Sequence, residues 1–161
     1  MAITYEPIAT VNINGVSETT FSSISGTYTD LILVGAGITR GTASSVFIRF
    51  NGDTNNNYSY TLLYGNGTSA ASSNTSGQSS GMIGAGVAEL SSTPTMILCQ
   101  IQNYSNATTY KTYLSRDTDS NGSTEAFVGL WRSTAAITSV TVRTGGNFTG
   151  GNLTLYGIKA A

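Results

Sequence analysis

Apolar and polar residues alternate with a period of two along much of this chain. In Ser45-Val46-Phe47-Ile48-Arg49-Phe50, Val46, Ile48 and Phe50 share one face, while Phe47 and Arg49 take the other. Thr138, Val140 and Val142 alternate with Ser139, Thr141 and Arg143, and Leu153, Leu155 and Gly157 with Thr154, Tyr156 and Ile158. This is the repeat of a half-buried strand. No window places apolar residues at i, i+3, i+4 and i+7 opposite a charged face, so helical signal is nearly absent. Two runs are almost continuous, Leu31-Ile32-Leu33-Val34 and Met96-Ile97-Leu98-Cys99-Gln100-Ile101. They read as strands covered on both faces or lying inside a sandwich.

Reading β-branched and aromatic runs between Gly, Asn and Ser clusters predicts ten strands, near 8–13, 18–24, 28–36, 45–51, 57–64, 95–102, 109–115, 124–132, 137–143 and 152–159. Asn14-Gly15, Asn51-Gly52, Asn121-Gly122 and Gly145-Gly146-Asn147 supply turns, because Asn and Gly accept positive φ. Many short strands with turns at this spacing indicate an all-β sandwich, jelly roll or barrel. One segment breaks the rhythm. From Gly65 to Gly81 every residue is Gly, Asn, Thr, Ser, Ala or Gln, with apolar signal returning at Met82-Ile83 and Val87. Residues 65–93 are therefore expected to form one long exposed loop outside the core.

Composition narrows the function classes. Ser, Thr, Gly and Asn fill 78 of the 161 positions, and charged residues only 9 %. The net charge is −1 and the seven basic residues are scattered, which argues against a nucleic-acid backbone as partner. No apolar run approaches the roughly 20 residues of a membrane helix. Met1-Ala2-Ile3-Thr4-Tyr5-Glu6-Pro7 lacks the basic and apolar regions of a signal peptide, so synthesis in the cytoplasm of the producing cell is expected. Cys99 is the lone cysteine and histidine is absent, which excludes Ser-His-Asp and Cys-His catalysis.

The remaining motifs carry little chemistry. Leu31–Val34 followed by Gly35-Ala36-Gly37 suggests a dinucleotide loop, but Arg40 stands at the third glycine position and another strand follows. Asp117-Thr118-Asp119-Ser120-Asn121-Gly122 matches the first half of a calcium loop, yet Val128 occupies the position of the bidentate Glu. It reads as an Asx-rich hairpin turn. The eight acids (Glu6, Glu18, Asp30, Asp53, Glu89, Asp117, Asp119 and Glu125) form no recognisable acid–base pair, so no enzyme, cofactor or metal site is expected. Eight Asn-x-Ser/Thr triplets, at Asn57, Asn66, Asn74, Asn103, Asn106, Asn121, Asn147 and Asn152, read as strand edges and turns. Tyr58, Tyr60, Tyr64, Tyr104, Tyr110 and Tyr113 are of the type that stacks on sugars, but tyrosine equally suits half-buried strand positions. Trp131 reads as a core or interface anchor.

Several blocks, in order, resemble a known family. They are Tyr28-Thr29-Asp30-Leu31-Ile32-Leu33-Val34, Ile48-Arg49-Phe50-Asn51-Gly52-Asp53 with Asn57-Tyr58-Ser59-Tyr60, and Asn103-Tyr104-Ser105-Asn106 with Tyr110-Lys111-Thr112. Gly129-Leu130-Trp131-Arg132 running to Ser139, and Leu155-Tyr156-Gly157-Ile158-Lys159, complete the set. Together they resemble small virion structural proteins of tailed phages, particularly those infecting cyanobacteria and marine bacteria. The resemblance implies an all-β, antiparallel, jelly-roll-like sandwich that assembles as a homotrimer on the virion. The role it implies is capsid decoration, or cement, bracing the shell between capsomers through contacts with the major capsid protein. A tail- or head-fibre tip recognising host surface polysaccharide, and a collar or neck component, are the alternatives. Residues 1–7 are expected as an extended arm ahead of a single domain at 8–161, and Ile3, Tyr5, Pro7 and Trp131 are the candidate interface residues.

Overall fold

The computed structural model describes residues 4–41, 44–86, 92–118 and 122–159. Among these residues twelve strands form in chain order: β1 (Tyr5–Asn12), β2 (Glu18–Phe21), β3 (Asp30–Arg40), β4 (Val46–Phe50), β5 (Tyr58–Gly65) and β6 (Ala70–Gln78). They continue with β7 (Gly81–Gly84), β8 (Thr95–Ile101), β9 (Lys111–Thr118), β10 (Thr124–Trp131), β11 (Val140–Thr144) and β12 (Phe148–Ile158). An eight-stranded sheet has the order β1-β12-β3-β8-β9-β10-β5-β6, and a four-stranded sheet the order β2-β11-β4-β7. Every pairing is antiparallel.

The topology is a jelly roll with two added hairpins. Setting aside β5–β6 and β9–β10 leaves β1-β12-β3-β8 facing β2-β11-β4-β7, the two four-stranded sheets of that fold. The added hairpins extend the first sheet beyond β8. The core lies between the sheets, as the period-two pattern requires. Leu31, Leu33, Cys99, Ile101, Trp131 and Leu155 point inward from the large sheet, meeting Phe21, Val46, Ile48, Phe50, Val140 and Val142 from the small one. Each fully buried apolar side chain of this size contributes about 1.5–3 kcal/mol relative to exposure.

β9 departs from the simple pattern, because its inward residues Lys111, Tyr113, Ser115 and Asp117 are polar. The reason is β7. The Tyr113 hydroxyl donates to Met82 O (3.1 Å) and Ser115 Oγ to Ile83 O (2.6 Å), while Asp117 Oδ2 accepts the Ala85 N–H (2.6 Å). On the neighbouring strand, Glu125 Oε2 accepts the Gly86 N–H (2.7 Å). Backbone at the edge of the small sheet is thus satisfied by side chains of the large one. Tyr113 reaches Met82 only because its cross-strand partner is Gly129; a Cβ there would fall inside the tyrosine ring.

Two expected boundaries are corrected. Residues 65–93 are not one loop. Ala70–Gln78 pairs with β5, and Gly81–Gly84 enters the small sheet with Ile83 fully buried. β6 escaped notice because its small polar residues bury nothing, and β7 because a four-residue strand is too short for a periodic signal. Nor do Tyr5, Glu6 and Pro7 belong to a separate arm. They pair with Ile158, Gly157 and Tyr156, and Lys159 adds an ion pair to Glu6 (2.5 Å). Pro7 fits because β1 is an edge strand, where a missing N–H costs no ladder bond. Met1–Ile3 lie outside the described residues.

Candidate functional site

The apolar runs at Leu31–Val34, Met96–Ile101 and Ala126–Trp131 carry side chains on both faces of their strands, yet the small sheet covers only one. Leu31, Leu33, Ile97, Cys99, Phe127 and Trp131 face the core. Ile32, Val34, Met96, Leu98, Ala126, Val128 and Leu130 therefore face outward, where Ile32 is already buried and Val34, Leu98, Ala126 and Leu130 are half-buried. Cross-strand register joins them into rows. One runs Pro7, Tyr156, Ile32, Gln100, Leu114, Val128 and Thr61; the next runs Thr154, Val34, Leu98, Arg116, Ala126 and Leu63. Leu63 (52 %), Leu114 (48 %), Val128 (50 %) and Met96 (46 %) are half exposed, and among the described residues nothing covers them. An apolar face of this extent marks an interaction surface.

Its polarity is specific. Among the strand residues of this face Arg116 is the one cation, set between Leu98 and Ala126 in the register. Among the described residues no acid lies within ion-pair distance of it. Asp30, the one acid, is at the far end and accepts the Asn103 N–H (2.7 Å). An open trough of about 670 Å³ lies beside Arg116, with Leu63, Ala70, Met96 and Ala126 in its lining.

The expected interface residues divide. Tyr5 (56 % exposed) and Pro7 lie at the margin of this outer face, in register with Ile158 and Tyr156. Ile3 falls outside the described residues. Trp131 is a correction: it is buried on the inner face, 5.5 Å from Phe50 and stacked 6.3 Å from Tyr58 between ring centroids, so it cannot reach a partner. Its indole N–H donates to Asp53 Oδ2 (2.7 Å). Sequence reasoning missed Leu63, Met96, Leu114 and Val128. The available signal was a strand apolar on both faces in a sandwich that covers only one.

The other candidates resolve into structure. Tyr58, Tyr104 and Tyr113 are buried, Tyr60 and Tyr64 half-buried, and only Tyr110 of the six is exposed, so these rings form no open stacking platform. Burial pushes the Tyr58 hydroxyl up to about 12 and the Cys99 thiol likewise to about 12, leaving both protonated at neutral pH. Asn66 Oδ1 accepts the Thr68 and Ser69 N–H and hydroxyl groups, and Asn106 Oδ1 does the same for Thr108 and Thr109. These Asn-x-Thr triplets are turn locks. Asp117 Oδ2 accepts the Ala85 N–H beside the end of β7, and residues 119–121 of the 117–122 segment lie outside the described residues. Asp117 and Glu125 stand opposite each other on β9 and β10, both buried and both engaged by backbone N–H groups.

No family model and no curated relative matches the chain. Among solved structures, a protein of unknown function from Shewanella oneidensis MR-1 aligns at 9% identity and a TM-score of 0.21, over 98% of this chain and 77% of that one.

Proposed function

We propose that this chain is a non-enzymatic structural protein of a tailed-phage virion, a homotrimeric capsid decoration protein that docks on the shell through the outer face of its eight-stranded sheet. The observation that carries this is the uncovered apolar face with its single central cation. The resemblance of the blocks between Tyr28 and Lys159 to small virion proteins supplies the setting and the trimer. Jelly rolls serve in viral capsid domains, which is a fold-level analogy and adds only to the prior.

The occupant fitted by this face is a different protein, presenting an apolar strip with one carboxylate. A second copy laid face to face about a two-fold axis centred on Arg116 would bring Arg116 against Arg116, in a low-dielectric contact where like charges repel. Docking would finish burying Leu63, Met96, Leu114 and Val128, at about 1 kcal/mol for each half-exposed side chain. Thr61, Thr112, Thr118 and Thr124 would add weak hydrogen bonds at the rim. Three such faces on one trimer act together, so modest single-site affinity becomes firm attachment.

Co-sedimentation with expanded shells lacking the protein tests this. The native chain should bind, and the double variant Leu114→Glu, Val128→Glu should fold but remain in the supernatant. Equal binding of both, or binding to host cells and their polysaccharide with none to shells, would overturn it.

A further inference from the structure

The two edges of the large sheet are built differently. β1 is closed to pairing: Pro7 lacks an N–H, the register slips between Pro7 and Ala9, and charged Glu6 sits beside them. Lys159 N donates to Thr4 O (3.0 Å), so alternation turns Thr4 and Glu6 toward β12 and Pro7 toward the open side. Proline at such a position, a bulge and a charge are the usual devices that keep a strand edge from pairing with another chain.

β6, the opposite edge, has no proline and no charge, and its one register slip, between Thr75 and Gln78, lies beyond the Ala70–Asn74 stretch. The side chains of Ala70-Ala71-Ser72-Ser73-Asn74-Thr75-Ser76-Gly77-Gln78 are exposed apart from half-buried Thr75. A strand that buries so little is held almost wholly by its hydrogen bonds to β5, against a backbone ordering cost of about 1–2 kcal/mol per residue. The Asn66 N–H donates to Ser69 O (3.1 Å), which fixes the alternation along the hairpin. Ala71 and Ser73 then bond to β5 across from Tyr64 and Leu62, while Ala70, Ser72 and Asn74 turn their N–H and C=O groups outward. Among the described residues no strand accepts them.

We infer that the outward edge of β6 is a strand-addition site for a second copy of this chain, pairing antiparallel with its own β6 about a two-fold axis at Ser72. The segment is self-complementary. Ser72 would face Ser72 of the other copy, and Ala70 would face Asn74 twice, giving about six backbone bonds with no like charges and no bulky side chain in the way. The joint extends the large sheet across two copies and makes their outer apolar faces continuous, since Leu63 lies one strand in from the edge. A foreign extended peptide would gain the same backbone bonds, but the neutral small-residue match favours the chain itself. If copies also associate as trimers, this contact links one trimer to the next.

Ser72→Pro isolates the contact, because the Ser72 N–H is not bonded to β5. Light scattering after size exclusion should give Ser72→Pro a smaller mass than the native chain at the same concentration, half of it where the native species is a simple dimer and a single trimer where copies also associate as trimers, with unchanged circular dichroism. Ser72→Lys, which sets lysine against lysine at the axis, should lower the mass in the same way and recover the native value at high salt. Ser73→Pro breaks a bond to β5 and should instead lower the melting temperature. The measurement needs no shell, so it stands apart from the docking proposal. Equal masses for the native chain, Ser72→Pro and Ser72→Lys would overturn the inference, including the case in which a foreign peptide is the true occupant.

Discussion

The indole N–H of Trp131 donates to Asp53 Oδ2 at 2.7 Å, tying the end of β10 to the loop that leaves β4. That loop turns at Asn51-Gly52, where both residues have positive φ and Asp53 N returns to Phe50 O (3.0 Å). Asp53 also accepts hydrogen bonds from Asn57 Nδ2 and from Asn55 N and Nδ2. Burial raises the Asp53 pKa, but the bonds from Asn57, Trp131 and Asn55 together outweigh it and leave it below 3.8. The folded value is depressed, so its stabilisation is complete above the unfolded pKa and is lost as pH falls through the folded one. Asp53→Asn should therefore flatten the acid limb of a melting-temperature profile below about pH 4. At neutral pH Asp53→Ala, which leaves the buried indole N–H without its acceptor, should cost about 1–3 kcal/mol by denaturant titration.

Tyr113 and Gly129 form one unit. Gly129→Ala must push the ring off its place and break the hydroxyl bond to Met82 O, which should cost about 1–3 kcal/mol. In a Tyr113→Ala background the same glycine change should be nearly neutral. A double-mutant cycle in urea checks this; additive losses would show that the two do not share a cause.

Arg116 should govern the docking electrostatics. Arg116→Glu is expected to weaken binding to shells more than Arg116→Ala, and added salt should weaken the native contact while narrowing that difference. Neither change should move the melting temperature by more than a degree or two, because Arg116 is exposed.

Cys99 offers an internal probe. It is fully buried with its thiol raised to about 12, so a maleimide at pH 7 should label native protein no faster than the chain opens. Labelling should reach completion in denaturant. Rapid labelling without denaturant would mean that the β3–β8 region is open.

Much of the fold was legible in the chain itself. Val46, Ile48 and Phe50 are buried as alternation predicts, and Asn51-Gly52 turns with positive φ as its composition demands. The hidden parts depend on tertiary context. Ala71 and Ser73 have no local reason to extend and do so because Tyr64 and Leu62 offer them a ladder. Ser115 and Asp117 face inward because β7 presents backbone to them, a fact absent from their own segment. Trp131 could be placed as an anchor but not assigned between core and interface. The candidate face was half legible: Leu31–Val34 and Met96–Ile101 announced strands apolar on both sides, but only the packed sheets reveal which side is left uncovered.

The most direct test of the account is the number of copies of this chain per major capsid protein in purified virions, by quantitative mass spectrometry. A trimer sitting where capsomers meet predicts a ratio of about one third or more, rising to about one copy per capsid subunit where every three-capsomer junction is filled. A ratio of only a few per cent would put the chain at a unique vertex or on fibres and would contradict the decoration role.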